Sequence, residues 1–482
     1  MKKFTNVLAV LLALVMCLGI VVACASDDEG KEGGEAGTTT AASTTKPTVN
    51  TTTAAQTTTA EVTTEADPKK QANFTPAGAV PADGVIKTAA DLHAVLVNGE
   101  ADKNYTVSAE TIDMAGLGWV GLKDYSGTFD FNGCTVKNVM FPMFTSVVGG
   151  TVKNLVLADS TMVYTDDDAQ AEKDLIPLGT AADSHCRVYG GVIRYMNDGT
   201  VSNVTIESTV SISADIWFKD SYVGGIVAYA KGTNIRVEDC TFKGTLSTDS
   251  TKIFCGGVAG CVEGTDASAH TPDDPTAAAV LGINCANYGT IKNIGVGEDS
   301  KTAGVFGAFG SGVVYKCANF GTIDCTDGGQ SAGVIGHTLN ELTYMYCLNA
   351  GTVKGGSGYV GGVCGYSNGT VRNFVGCVNV GTVGNADGVT SPRVAGIIGW
   401  LRKNETVTNC YNLTTGAAAF IVSKGNTGDP LKPEDPTTHV SEGTPVITGC
   451  GNFDTVDALL AAIEATHPGV YVKNGDSLKF AE

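Results

Sequence analysis

The sequence predicts an all-β chain. It reads as a parallel β-helix, a solenoid of roughly 30-residue coils with short helical caps, behind a disordered N-terminal stalk. Three observations lead there. The hexapeptide CANYGT at 285 returns as CANFGT at 317, CLNAGT at 347 and CVNVGT at 377, with echoes CYNLTT at 410 and CGNFDT at 450. In step with it run GGVIRY at 190, GGIVAY at 224, GGVAGC at 256, AGVFGA at 303, AGVIGH at 332, GGVCGY at 361 and AGIIGW at 395. Two motifs sharing one period mean one structural unit used many times, as in solenoids and propellers. Finally, no repeat unit shows helical periodicity, which excludes leucine-rich, ankyrin and tetratricopeptide architectures.

The elements follow in chain order. Residues 1–23 read as a signal peptide: Lys2 and Lys3 precede an apolar run from Val7 to Val22. The end of that run, Val21-Val22-Ala23-Cys24, resembles a bacterial lipobox, which makes Cys24 the lipidated first residue of the mature chain. Ala23-Cys24-Ala25 also fits ordinary secretory cleavage, and the apolar run falls only slightly short of a membrane span. Residues 24–70 are charged and then rich in threonine and alanine, so they cannot bury a core and read as a lipid-anchored spacer. Residues 71–415 hold the repeats. Residues 416–482 contain an irregular segment and a C-terminal helix, where Asp454-Thr-Val-Asp457 precedes ALLAAIEATH. Thr88-Ala-Ala-Asp91, ahead of an apolar run from Leu92 to Val97, is the matching helix start at the other end. Solenoids need caps over their open ends; the first helix is well placed for that, and the second either caps the stack or belongs to a small terminal appendage.

Within one unit, YVGGVCGYSNGTVRNFVGCVNVGTVGNADGV (359–389) reads as short strands parted by glycine and asparagine turns. Residues two apart on a strand face the same way. If Cys317 points inward, so does Asn319. Stacking then places Asn287, Asn319, Asn349, Asn379 and Asn412 in one column, where amides bond from coil to coil as in cross-β asparagine ladders. The partner column, Cys285, Cys317, Cys347, Cys377 and Cys410, reads as a small apolar filler. In-register side chains point in parallel, which is poor disulfide geometry, so mostly free buried thiols are expected. Cys255 with Cys261, and Cys317 with Cys325, lack the tight paired spacing of a zinc site.

Residues 84–157 carry a recognisable order of features: GVIKTAADLHAVLVN, NYTVSAETIDMAGLGWVGL, YSGTFDFNGCTVKNV and MFTSVVGGTVKNLVL. This order resembles bacterial surface proteins with GLUG repeats, and the likeness extends over most of residues 80–415. Phe131 and Cys134 stand where that family usually has a glycine and a histidine. The resemblance implies a right-handed parallel β-helix displayed at the cell surface, used in adhesion or matrix attachment.

Chemistry is sparse. A net charge of −19, of which −17 falls in residues 71–482, excludes a phosphate-backbone binder. Asp166-Asp167-Asp168 and Asp273-Asp274 lack the spacing of a calcium loop. Gly304, Gly307, Gly310 and Gly312 belong to the repeat and precede no helix, so no nucleotide site is read there. His93, His185, His270, His337, His439 and His467 lie outside any nucleophile motif. Trp119, Trp217 and Trp400 could stack on sugars or simply pack. The sequence therefore implies no enzyme, cofactor or metal. It implies a monomeric, lipid-anchored module on the extracellular face of the membrane, or a secreted one, that binds glycan or matrix or builds surface architecture. A polysaccharide lyase or glycosidase on the same scaffold is the alternative.

Overall fold

The computed structural model describes residues 76–165, 187–214, 221–250, 252–265, 274–295, 299–326, 329–367, 372–389, 393–401, 405–414 and 446–481. The signal peptide, Cys24 and the threonine-rich segment lie outside these residues, as do Trp217, Asp166 to Asp168 and Asp273.

Strands dominate, and they stack in parallel. One face is a seven-stranded sheet built from Arg187–Gly190, Ser221–Gly224, Ile253–Gly256, Lys301–Ala303, Gln330–Ala332, Tyr359–Gly361 and Val394–Ala395. A second seven-stranded sheet runs from Thr161–Tyr164 through Thr290–Asn293 to Thr382–Asn385. A larger sheet takes the remaining strands of each coil, such as Cys364–Ser367, Arg372–Val375 and Val378–Asn379. Each strand pairs with its equivalent one coil away, so the chain is all-β and solenoid-like in its stacking. One core runs unbroken from Ile86 to Cys410, filled by Val, Ile, Leu and Phe, whose branched and flat side chains fit a pleated surface.

Local chemistry sets the corners. The residue just before each column cysteine adopts a left-handed conformation at Asp239, Asn284, Lys316, Tyr346, Gly376, Asn409 and Gly449. Asn, Asp and Gly tolerate this region best.

The helix Ala89–Asn98 begins in a complete capping box: Thr88 Oγ1 accepts from Asp91 N at 3.2 Å, and Asp91 Oδ2 accepts from Thr88 N at 3.0 Å. Its Leu92, Val95 and Leu96 join the main core, so it closes one end of the stack. Thr88→Ala is expected to cost about 0.5–2 kcal/mol, read as a lowered denaturant midpoint at unchanged slope.

One expectation about the other end changes. The stack does not stop at 415: Val446–Thr448 and Gly451–Phe453 pair in parallel with Thr406–Thr408 and Tyr411–Leu413, adding one more rung. Of the two readings of the helix Val456–Thr466, the structure takes the terminal appendage. Leu459 and Ile463, with Tyr471 and Leu478 of an antiparallel hairpin, pack on the outward-facing Leu348, Val378 and Tyr411, a cluster separate from the main core. Tyr471 donates to Gly376 O at 2.9 Å, and His467 meets the Tyr346 ring at 5.1 Å. The C-terminal unit thus buttresses the flank across several coils.

Candidate functional site

Inside the stack the asparagines form a continuous amide ladder. Asn287 Nδ2 donates to Asn319 Oδ1 at 2.7 Å, Asn319 to Asn349 at 2.8 Å, Asn349 to Asn379 at 2.7 Å and Asn379 to Asn412 at 2.8 Å. A fifth bond, Asn412 to Asn452 at 3.0 Å, adds a sixth residue to the five the sequence singled out. Some rungs also bond locally, as where Gly289 N donates to Asn287 Oδ1 at 3.1 Å.

The double-glycine motif keeps step with this ladder because the two touch. A methyl group on Gly333 would lie 2.3 Å from Gly362 O and 2.5 Å from Asn349 Oδ1; Gly304 and Gly362 face Asn319 and Asn379 in the same way. Gly333→Ala must displace either backbone or ladder, at roughly 2–3 kcal/mol. A lowered thermal midpoint with loss of the native circular dichroism transition checks this.

The cysteine column is more than filler. Each thiol lies within reach of a carbonyl of the preceding coil, Cys285 of Val237 O at 3.4 Å, Cys317 of Gly282 O at 3.6 Å, Cys347 of Val314 O at 3.6 Å and Cys410 of Phe374 O at 3.7 Å, and also of the carbonyl two residues back in its own strand. Cys377 does the same to Tyr344 O at 3.9 Å, and Cys450 continues the series to Val407 O at 3.4 Å. The twelve cysteines among the described residues carry free thiols. Burial pushes the thiols of Cys285, Cys347 and Cys410 well above their ordinary range, so they stay protonated and act as donors.

One buried ion pair has no counterpart in the sequence reading. Arg372 and Glu405 are both fully buried, with Nη1 donating to Oε1 at 3.3 Å. Ser367 Oγ donates to the same carboxylate oxygen at 2.8 Å. Burial pushes the Glu405 carboxyl up to about 8 against the pull of Arg372 and Ser367.

The remaining single residues disperse. Trp119 is buried and donates to Pro142 O at 2.8 Å, and His93 Nε2 lies 2.7 Å from Gly118 O, so both serve packing near the first helix. His185, His270 and His439 fall outside the described residues, and Asp274 begins a single 3-10 turn. Among the described residues no group of three His, Cys, Asp or Glu side chains is placed to hold a metal ion.

Among the described ones, His337 and Trp400 share one outward column, two coils apart with Tyr366 between them. They belong to a column that the double-glycine motif encodes at its sixth residue: Tyr195, Tyr229, Cys261, Ala308, His337, Tyr366 and Trp400 stand in register on successive coils. A second column, two residues ahead of each motif, holds Val188, Tyr222, Phe254, Lys301, Gln330 and Tyr359. The columns meet across the glycine corner. Tyr222 stacks on Tyr229 at 4.5 Å between ring centres, Tyr359 lies 5.1 Å from Tyr366 and 4.4 Å from Trp400, and Gln330 Oε1 is 2.5 Å from His337 Nδ1. Sequence reading quoted the motif for its glycines and aliphatics and missed its sixth position. Aromatic residues at one fixed place in four of the seven copies were the available signal.

No family model matches this chain, and no curated protein does. Among solved structures it is similar to one from Bacteroides ovatus described as a candidate immunoglobulin A1 protease. The identity is 13% and the TM-score 0.32, over 82% of this chain and 91% of that one.

Proposed function

We propose that this chain is a surface lipoprotein whose domain, a right-handed parallel β-helix of the GLUG-repeat type, binds glycan or matrix without catalysis. Cys24 carries the lipid, and residues 24–70 act as the stalk that holds the domain clear of the membrane. The observation that carries the binding reading is the outward aromatic column, in which His337, Tyr366 and Trp400 stand in register on a hydrogen-bonded scaffold. Repeated ring faces on a rigid support suit many weak contacts with an extended partner better than one tight contact.

Residues 71–482, passed over immobilised mucins and polysaccharides, are expected to be retained and to leave the chains at full length. Shortened chains would favour a polysaccharide-degrading enzyme instead. In the producing cell, Cys24→Ser is expected to abolish incorporation of labelled fatty acid and release the protein from the membrane fraction. Persisting incorporation would overturn the anchor.

A further inference from the structure

Building on the glycan-binding reading above, the geometry points to the ligand class and its seat. An acidic polysaccharide lies along the outer trough between Phe254 and Trp400, sugar faces on the rings and acidic groups at Lys301 and Arg393.

The trough is a consequence of the glycine corner. Side chains pointing outward from two strands diverge where the chain turns around a convex edge. Here they converge: Tyr359 from one face touches Tyr366 and Trp400 from the next, and Gln330 touches His337. The corner between the two faces is therefore concave on its outer side, and because every coil repeats it, the concavity runs along the stacking direction. A linear polymer fits such a shape, and successive rungs about 4.8 Å apart offer it a repeated set of contacts.

The lining suits a sugar chain. Tyr359, Tyr366, His337 and Trp400 are each half-buried, so ring surface remains open, whereas Tyr222 and Tyr229 at the other end are nearly covered. Flat aromatic faces take the C–H faces of pyranose rings, and polar groups at the rim fix hydroxyls.

Charge selects the acidic class. Residues 71–482 carry a net charge of −17, yet this stretch of trough holds two cations over its rings. Lys301 Nζ lies 5.0 Å from the Phe254 centre and the Arg393 guanidinium 4.8 Å from the Tyr359 centre. Glu263 lies toward the other end, where it accepts from Tyr229. An anionic chain placed between Phe254 and Trp400 meets the positive charges and avoids that carboxylate.

The test uses the full chain in detergent, with polygalacturonate as the acidic probe and dextran as the neutral one, titrated at low and high salt. Polygalacturonate is expected to bind more tightly than dextran and to weaken as salt rises, because exposed charges are screened. Tyr366→Ala and Trp400→Ala should each weaken it roughly tenfold, the share of one well-packed ring. Lys301→Gln and Arg393→Gln, which leave the rings intact and whose melting is compared with the parent's, are expected to flatten the salt dependence. Polygalacturonate binding unchanged in all four variants would overturn the seat while leaving the glycan reading in place. Equal, salt-independent binding of both probes would overturn the acidic class. Binding of neither, with mucins also unretained, would overturn this inference and the function it rests on.

Discussion

Above pH 8, where the Glu405 carboxyl is ionised in the folded chain, Glu405→Leu is expected to destabilise the chain by about 3–5 kcal/mol, because it strands a guanidinium in the interior. Arg372 and Glu405 are both fully buried, and Arg372 also donates to Thr338 O at 3.4 Å. The two halves of the pair are not equivalent. A guanidinium cannot shed its proton, whereas a carboxyl abandoned by its partner can take one up. Arg372→Met should therefore cost less, about 1–3 kcal/mol, and the double variant should recover much of the loss from Glu405→Leu. Denaturant midpoints of the three variants check the order. Equal losses in the two single variants would overturn it.

The pair also makes stability depend on pH, with a sign opposite to that of an ordinary salt-bridged carboxylate. The Glu405 carboxyl is raised from 4.5 to about 8. Between these values the folded chain keeps a proton that the unfolded chain has released, so stability falls as pH rises through this window and levels off above it. The contribution is fully present below pH 4.5 and reaches a slope of at most about 1.4 kcal/mol per pH unit within the window. Glu405→Gln is expected to remove this slope, visible as thermal midpoints that no longer drift between pH 5 and 8.

Asn349→Leu is expected to cost roughly 2–5 kcal/mol. Asn349 stands mid-ladder, so its loss removes the acceptor of Asn319 and the donor to Asn379 together. Both survivors stay buried, and each orphaned group costs about 1–3 kcal/mol. The comparison variant is Asn452→Leu at the end of the ladder. It removes only the bond from Asn412 Nδ2, at a half-buried position, so about 1 kcal/mol is expected. Chemical denaturation of the two variants side by side reads the difference. Equal losses would mean that the amides do not act as a ladder.

Much of this interior was legible in advance, for a local reason. Alternation along a strand is strict, so Cys317 and Asn319 must share a face, and a fixed period must bring their equivalents into register. The cysteine's contact across coils could not be read, because that carbonyl lies one coil away, at Gly282 for Cys317. The residue between them held a further signal. Ala318, Leu348, Val378 and Tyr411 point outward by the same alternation yet are apolar, which marks a covered surface; the cover, the helix Val456–Thr466 and its hairpin, is remote in sequence. Arg372 and Glu405 show no pattern at all, since neither repeats and only the stacking of two coils joins them.

The sequence by itself determined the all-β class, the period and the inward columns. These follow from interactions within a strand and from identical neighbours above and below. Tertiary structure alone decided where the C-terminal helix rests, that the rungs continue to Phe453, and that two outward columns converge on one trough. Those depend on the angle between faces and on which distant segment covers which column. At that corner a methyl on Gly333 would lie 2.3 Å from Gly362 O, so the coils pack this closely only on glycine. A repeat motif names the glycine, but only the packed coils show which way the corner opens.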